Sequence, residues 1–216
     1  MNLNKHKDFF DPTISEQTIH IIGLGALGSN LAHLLVRLGF EDFVLYDFDD
    51  IADKNLTNQF YFNEQIGDLK ATSLRNNLLK INPNLNISTE GKYTNQNLYG
   101  FVFLCLDSIE ERKRIVETNQ FNYNITLLTD IRLGLEEGQA FISEPKGFKR
   151  LISTMQFKGT ETTSPRNACG GVLTLMPTIN IITSLVSTNI INFLKNDEYS
   201  YMIITDSIEM ITKNYK

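Results

Sequence analysis

The chain has 216 residues, 42% hydrophobic and 21% charged, which suits one soluble domain with a full core. Its 20 basic and 25 acidic side chains leave a formal charge of −5, so no basic excess favours a nucleic-acid partner. Two cysteines, Cys105 and Cys169, are too few for a disulfide framework and lack the paired spacing of a structural zinc site, so no zinc is expected. Met1–Asp11 shows no basic segment followed by an apolar stretch, and the sequence reads as cytoplasmic.

In chain order, residues 1–17 read as an N-terminal tail and 18–216 as a single nucleotide-binding domain. Thr18–Ile22 is a short apolar strand running into glycines. Leu27, Leu31, Leu34, Leu35 and Leu38 recur at helical spacing, and Gly39 ends that helix. Phe43–Tyr46 is a second strand, and Ile66–Lys80 a helix stopped by Asn82-Pro83. Asn86–Ser88 is a weak third strand. Phe101–Leu106, apolar on both faces, is the fourth, as a central parallel strand should be. Ser108 is placed to cap a charged helix running to Thr118, and Ile125–Leu128 is a fifth strand. Gly138–Ser143 and Leu151–Met155 read as later strands, antiparallel in a modified second half. Lys158–Ala168 is polar and reads as a mobile loop. Val172–Leu194 carries no charge, but Pro177, Asn180, Asn189 and Asn192 disfavour a membrane span. A helix from about Thr178, buried in the core or at a dimer interface, fits better. A strand pair around Tyr201–Ile204 and Glu209–Thr212 closes the chain. The fold class is α/β, a doubly wound Rossmann-like sheet with a parallel first half and a mixed or antiparallel second half.

Gly23-Leu24-Gly25-Ala26-Leu27-Gly28 sits between the first strand and the first helix. Gly23 permits the tight turn, Gly25 lets phosphate approach the backbone, and Gly28 lets helix and strand pack closely. The helix that follows presents unpaired N–H groups to an anion. Asp47, roughly twenty residues beyond the glycines, stands where an acid accepts hydrogen bonds from ribose hydroxyls. An NAD(P)-dependent oxidoreductase shares all of this.

Such an oxidoreductase does not need the sequel: Asp47-Phe48-Asp49, then Asn55-Leu56-Thr57-Asn58-Gln59, then Gly67-Asp68-Leu69-Lys70, then Asp107 after the fourth strand. This ordered series resembles the superfamily of ThiF, MoeB and the ubiquitin-activating enzymes, in the compact form of bacterial and phage ThiF-like proteins. The resemblance covers nearly all of residues 18–213 and continues through Arg132, Gly138-Gln139 and Arg166-Asn167-Ala168-Cys169-Gly170-Gly171 to Pro177. It implies an ATP-dependent adenylyltransferase that activates the C-terminal carboxylate of a ubiquitin-like or sulfur-carrier protein ending in Gly-Gly. In that scheme Asp47 holds the ribose, Asn55 helps to orient the triphosphate, and Asp49 and Gln59 belong to the same cofactor-binding set. Lys70 neutralises the charge developing on the α-phosphate, and Asp107 holds Mg²⁺. A homodimer is implied as well.

Two positions stand apart. The arginine of the family's N-L-x-R-Q run is Asn58 here, which removes a fixed fork of donors; Arg75 and Arg112 are the nearest sequence candidates to supply one. It also leaves open a non-catalytic partner subunit. Cys169 either captures the activated acyl group, with Arg166 lowering its thiol pKa, or is a small residue buried where the long helix begins. Cys105 reads as core. Asp130-Ile131-Arg132-Leu133-Gly134 is similar to a D-x-R-x-G segment of the same group, or else is a turn with a structural Asp–Arg pair.

Overall fold

A computed structural model describes residues 1–12, 16–155 and 173–216. Its elements run β1 (Ile19–Ile22), α1 (Ala26–Leu38), β2 (Asp42–Tyr46), α2 (Lys70–Ile81), β3 (Asn86–Glu90), β4 (Gly100–Leu104), α3 (Ile109–Thr118), β5 (Ile125–Leu133), β6 (Glu137–Ser143), α4 (Phe148–Ser153), α5 (Met176–Asn196), β7 (Met202–Asp206) and β8 (Ile211–Tyr215). Among the described residues they build one eight-stranded sheet in the order β3-β2-β1-β4-β5-β6-β7-β8. Strands β1 to β5 pair in parallel, and β6 to β8 continue the sheet antiparallel. The expected division of the sheet into a parallel and an antiparallel part is therefore observed.

The chain winds outward from β1 to β3 and returns to β4 on the other side of β1, so the strand order reverses between β1 and β4. Sheets of this kind bind ligands in the crevice that opens at such a reversal. The period-two alternation of the strands feeds both faces. Ile19, Ile21, Phe43, Leu45, Phe101 and Phe103 pack in the larger core with helical residues such as Leu31, Leu35, Leu74, Leu78, Ile182 and Val186. Ile22, Val102, Leu104 and Leu128 pack on the other face with Ile115, Val116, Phe148 and Leu151. That double burial is why β4 reads as a continuous apolar run.

Helix ends fall where local chemistry stops them. Gly39 adopts φ 100° and closes α1 with its N–H on the Leu35 and Val36 carbonyls. Ser108 Oγ accepts the Glu111 N–H at 3.2 Å and caps α3 as expected. Helix α2 starts at Lys70, not Ile66, because Gly67 sits at φ 91° and breaks the helical path. Leu151–Met155 is not a strand. Phe148, Leu151 and Met155 are buried at helical spacing, and Pro145 opens a 3₁₀ turn that leads into α4. Helix α5 begins at Met176, two residues before the expected start. No described helix is long and apolar enough to cross a membrane.

The first residues lie against the domain: Phe10 is buried and its ring meets Phe40, and the His6 ring nitrogen lies 3.1 Å from the Leu38 carbonyl.

His20 lies in β1 with 1% of its surface exposed, its Nδ1 3.2 Å from the Tyr46 hydroxyl. Burial lowers its pKa from 6.5 to about 4. The folded protein keeps the ring neutral, whereas the unfolded chain takes up a proton below its ordinary pKa. Stability is thus expected to be complete above that ordinary pKa and to fall as pH drops from it toward the folded value, by up to roughly 3 kcal/mol. Urea unfolding at about pH 7 and about pH 5 should show the loss in the native protein, with a clearly smaller loss in His20→Asn.

Candidate functional site

The C-terminal ends of β1, β2, β3 and β4 surround a cleft of about 250 Å³ at the strand reversal. Gly23 and Gly25 line it from the β1–α1 turn, Asp47, Phe48 and Asp49 from the end of β2, and Lys70 from the start of α2. Gly91, Lys92 and Tyr93 close it from the loop after β3, and Leu106, Asp107 and Glu111 from the loop after β4 and from α3.

Gly23 turns the chain at φ 93°, and a Cβ there would lie 2.7 Å from the Cys105 carbonyl oxygen. Leu24, between the two glycines, is gripped at both ends. Its N–H donates to Asp47 Oδ2 at 2.7 Å, and its carbonyl accepts the Tyr61 hydroxyl at 2.8 Å. Helix α1 then starts at Ala26 with no side-chain cap and no acid in its first turn. Its first internal bond runs from Ser29 N–H to the Gly25 carbonyl. The amides ahead of that bond have no helical acceptor, which is the condition under which a helix N-terminus can take an anion.

Asp47 accepts the Asp49 N–H at 2.8 Å with its other oxygen. Burial raises its pKa, opposed by those two amides and by the Lys70 charge. Each oxygen retains acceptor capacity for a further donor such as a ribose hydroxyl. Lys70 is 7% exposed. Its ammonium donates to Asp49 Oδ2 at 2.9 Å, and its backbone N–H donates to the Asp49 carbonyl at the same distance. Asp107 is exposed on the opposite side, carried by the turn that leaves β4.

Gly23, Gly25, Asp47, Asp49, Lys70 and Asp107 therefore share one cleft, while the other expected site residues stand behind it or elsewhere. Gly28 is a packing position: a Cβ would fall 1.9 Å from the Gly23 carbonyl oxygen. Asn55 Oδ1 accepts the Ala52 N–H at 2.8 Å and closes its own 3₁₀ turn. Gln59 lies beside Gly25, its Nε2 3.9 Å from where a Cβ would stand, and its Oε1 is buried with no partner among the described residues. Cys169 and Arg166, with the expected loop Lys158–Ala168, lie outside the described residues.

Neither arginine named as a substitute for the missing one lines the cleft. Arg75 Nε donates to the Ile87 carbonyl of β3, and Arg112 is buried on backbone carbonyls and Asp130. Asn58 itself donates to Thr174 Oγ1, just ahead of α5. Asp130 and Arg132 do form an ion pair, but within β5, not in a turn. Cys105 is core as expected, its thiol pushed up to about 12 by burial, so it holds almost no thiolate at neutral pH. Sequence reasoning missed Tyr61, Lys92, Tyr93 and Glu111. The weak apolar pattern of β3 gives no marker for the loop that follows it, and nothing in the run Gln59-Phe60-Tyr61 says that the phenol reaches back to Leu24.

The family model described as "ThiF family" matches residues 6–216. The chain belongs to the ThiF family. Among curated relatives, Ubiquitin-like modifier-activating enzyme 5 of Caenorhabditis elegans is 29% identical over 121 residues, taking in 47% of this ThiF-family chain and 29% of that protein. Its namesake from Drosophila pseudoobscura pseudoobscura is 33% identical over 76 residues, covering 35% and 19% respectively. The chain thus spans less than a third of these relatives. In fold, it is similar to E. coli MccB solved with ATP, with TM-score 0.72 and 16% identity over 94% of this chain and 64% of MccB. PaaA is comparable, with TM-score 0.71 at the same identity and coverage.

The two inner glycines should respond differently to one methyl group. A Cβ at Gly25 would meet only Gln59 Nε2, at 3.9 Å, so Gly25→Ala introduces no clash and should cost clearly less than Gly28→Ala. Gly28→Ala drives its methyl into the Gly23 carbonyl and should cost more than about 3 kcal/mol or prevent folding. Urea unfolding of the two variants checks the contrast.

Proposed function

We propose that the cleft binds ATP with Mg²⁺ and that the protein adenylates the terminal carboxylate of a ubiquitin-like, sulfur-carrier or peptide substrate. The observation that carries this reading is the meeting of Lys70, Asp47, Asp49 and Asp107 around the uncapped first turn of α1. Family membership supports it, as do the activities for which the relatives are named. The proposed reaction joins a carboxylate oxygen to the α-phosphorus and breaks the bond to the bridging oxygen, so pyrophosphate leaves.

The residues divide that task by their chemistry. Asp47 accepts from the ribose hydroxyls, and the amides ahead of Ser29 take phosphate oxygens. Lys70, already buried and aimed by Asp49, supplies the charge that offsets the oxyanion developing as two anions are joined. Among the described residues no group of three or more His, Cys, Asp or Glu is gathered for a metal. The exposed Asp107 carboxylate in the cleft suits Mg²⁺, which binds through one or two carboxylates plus substrate phosphates. When bound, Mg²⁺ adds positive charge against the triphosphate.

The Asn58 side chain, engaged with Thr174, favours a second reading in which an arginine comes from another subunit. In the main reading the protein is a homodimer, and Cys169 takes over the acyl group after adenylation.

ATP–pyrophosphate exchange that depends on a carrier and on Mg²⁺ tests the main reading. Lys70→Ala should lower exchange by about 10²-fold or more with the fold intact by circular dichroism. Exchange absent with a verified carrier, or stabilisation by NAD in place of ATP, would remove the proposal. Activity that appears only on mixing with an arginine-bearing relative would favour the second reading.

A further inference from the structure

We infer that Arg112 is a positioning residue whose buried guanidinium sets the turn presenting Asp107 to the cleft, with Asp130 holding the guanidinium in place. Arg112 lies on α3, is 4% exposed, and reaches back beneath the segment that precedes its own helix. Nη1 donates to the Leu104 carbonyl at 3.2 Å and to the Ile131 carbonyl at 2.7 Å, and Nη2 donates to the Leu106 carbonyl. Leu104 is the last residue of β4 and Leu106 immediately precedes Asp107, so one planar fork ties the end of β4 to the residue just ahead of Asp107. Its rigid donor geometry suits such a clasp in a way that a lysine point charge does not.

Asp130 has no exposed surface and accepts from Arg112 through Oδ1. Its Oδ2 accepts from Arg132 Nε at 2.8 Å. The Arg132 guanidinium in turn donates to the Thr154 carbonyl at 3.0 Å and Oγ1 at 2.8 Å and lies over the Phe141 ring. The carboxylate is thus anchored on a second element, just past α4, and cannot follow Arg112 if the turn shifts. A buried ion pair is often replaceable by apolar packing without loss of stability. What apolar packing does not provide is donors to the two carbonyls just ahead of Asp107.

The inference rests on the reading above only for the metal that Asp107 would hold, and its test has two separable readouts. Hydrogen exchange of the full-length protein should show faster exchange at the Leu106–Ser108 amides in Arg112→Lys, with the rest of the sheet unchanged. Calorimetric titration with ATP should show a fall of about 10–100-fold in affinity with Mg²⁺ present, the range for outer-shell metal partners, and little change in EDTA. In an Asp107→Asn background the same substitution should add nothing, because the two residues act through one contact. Should Arg112→Lys fail to fold, Asp130→Asn gives the same readouts. Additive losses, an equal loss in EDTA, or unaltered exchange at the turn would overturn the inference. If the native protein binds no ATP at all, the functional reading falls, and exchange at Leu106–Ser108 alone decides the role of Arg112.

Discussion

The Gly28 α-carbon and the Gly23 carbonyl stand so close that no side chain fits between them, and this contact fixes the start of α1 at the end of β1. Everything in the cleft is measured from that junction. Asp47 and Tyr61 reach it from opposite directions and grip Leu24, so the glycine turn is held by side chains of β2 and of the loop beyond it. Ser29 and Asn30 extend the grip on the helix side: Ser29 Oγ accepts the Phe60 N–H, and Asn30 Nδ2 donates to the Asn58 carbonyl. The polar series after β2 is thereby a brace for the glycine turn, and only its two ends, Asp47 to Asp49 and Lys70, line the cleft.

That arrangement explains what the sequence makes legible. Glycines at a strand–helix turn, an acid at the end of β2 and an aspartate after β4 have positions dictated by backbone geometry, and a linear reading finds them. Asn55 and Gln59 belong to the same series but turn their side chains to local backbone and to a buried site beside Gly25, because a 3₁₀ turn must satisfy its own N–H groups. Spacing alone does not show which way a side chain leaves such a turn.

Arg112 and the segment around Leu151 show two other reasons for misreading. An arginine on a charged helix looks available for an anion, and the burial of Arg112 goes with its pairing to Asp130 on β5, legible only once β4, α3 and β5 are stacked. Leu151–Met155 is a short apolar run, for which strand and helix periods are both compatible until the buried Phe148 is added to the pattern. Tertiary packing decided both.

The ionic lining of the cleft carries one more consequence. Four carboxylates, on Asp47, Asp49, Asp107 and Glu111, face two ammonium groups, on Lys70 and Lys92, and the better buried ammonium is already tied to Asp49. A naked polyphosphate approaching such a mouth meets repulsion, whereas one that brings divalent counter-ions meets ready oxygen donors. If the cleft takes a nucleotide as proposed, selection between its chelated and bare forms would be exerted at encounter, by a long-range field that added salt would flatten.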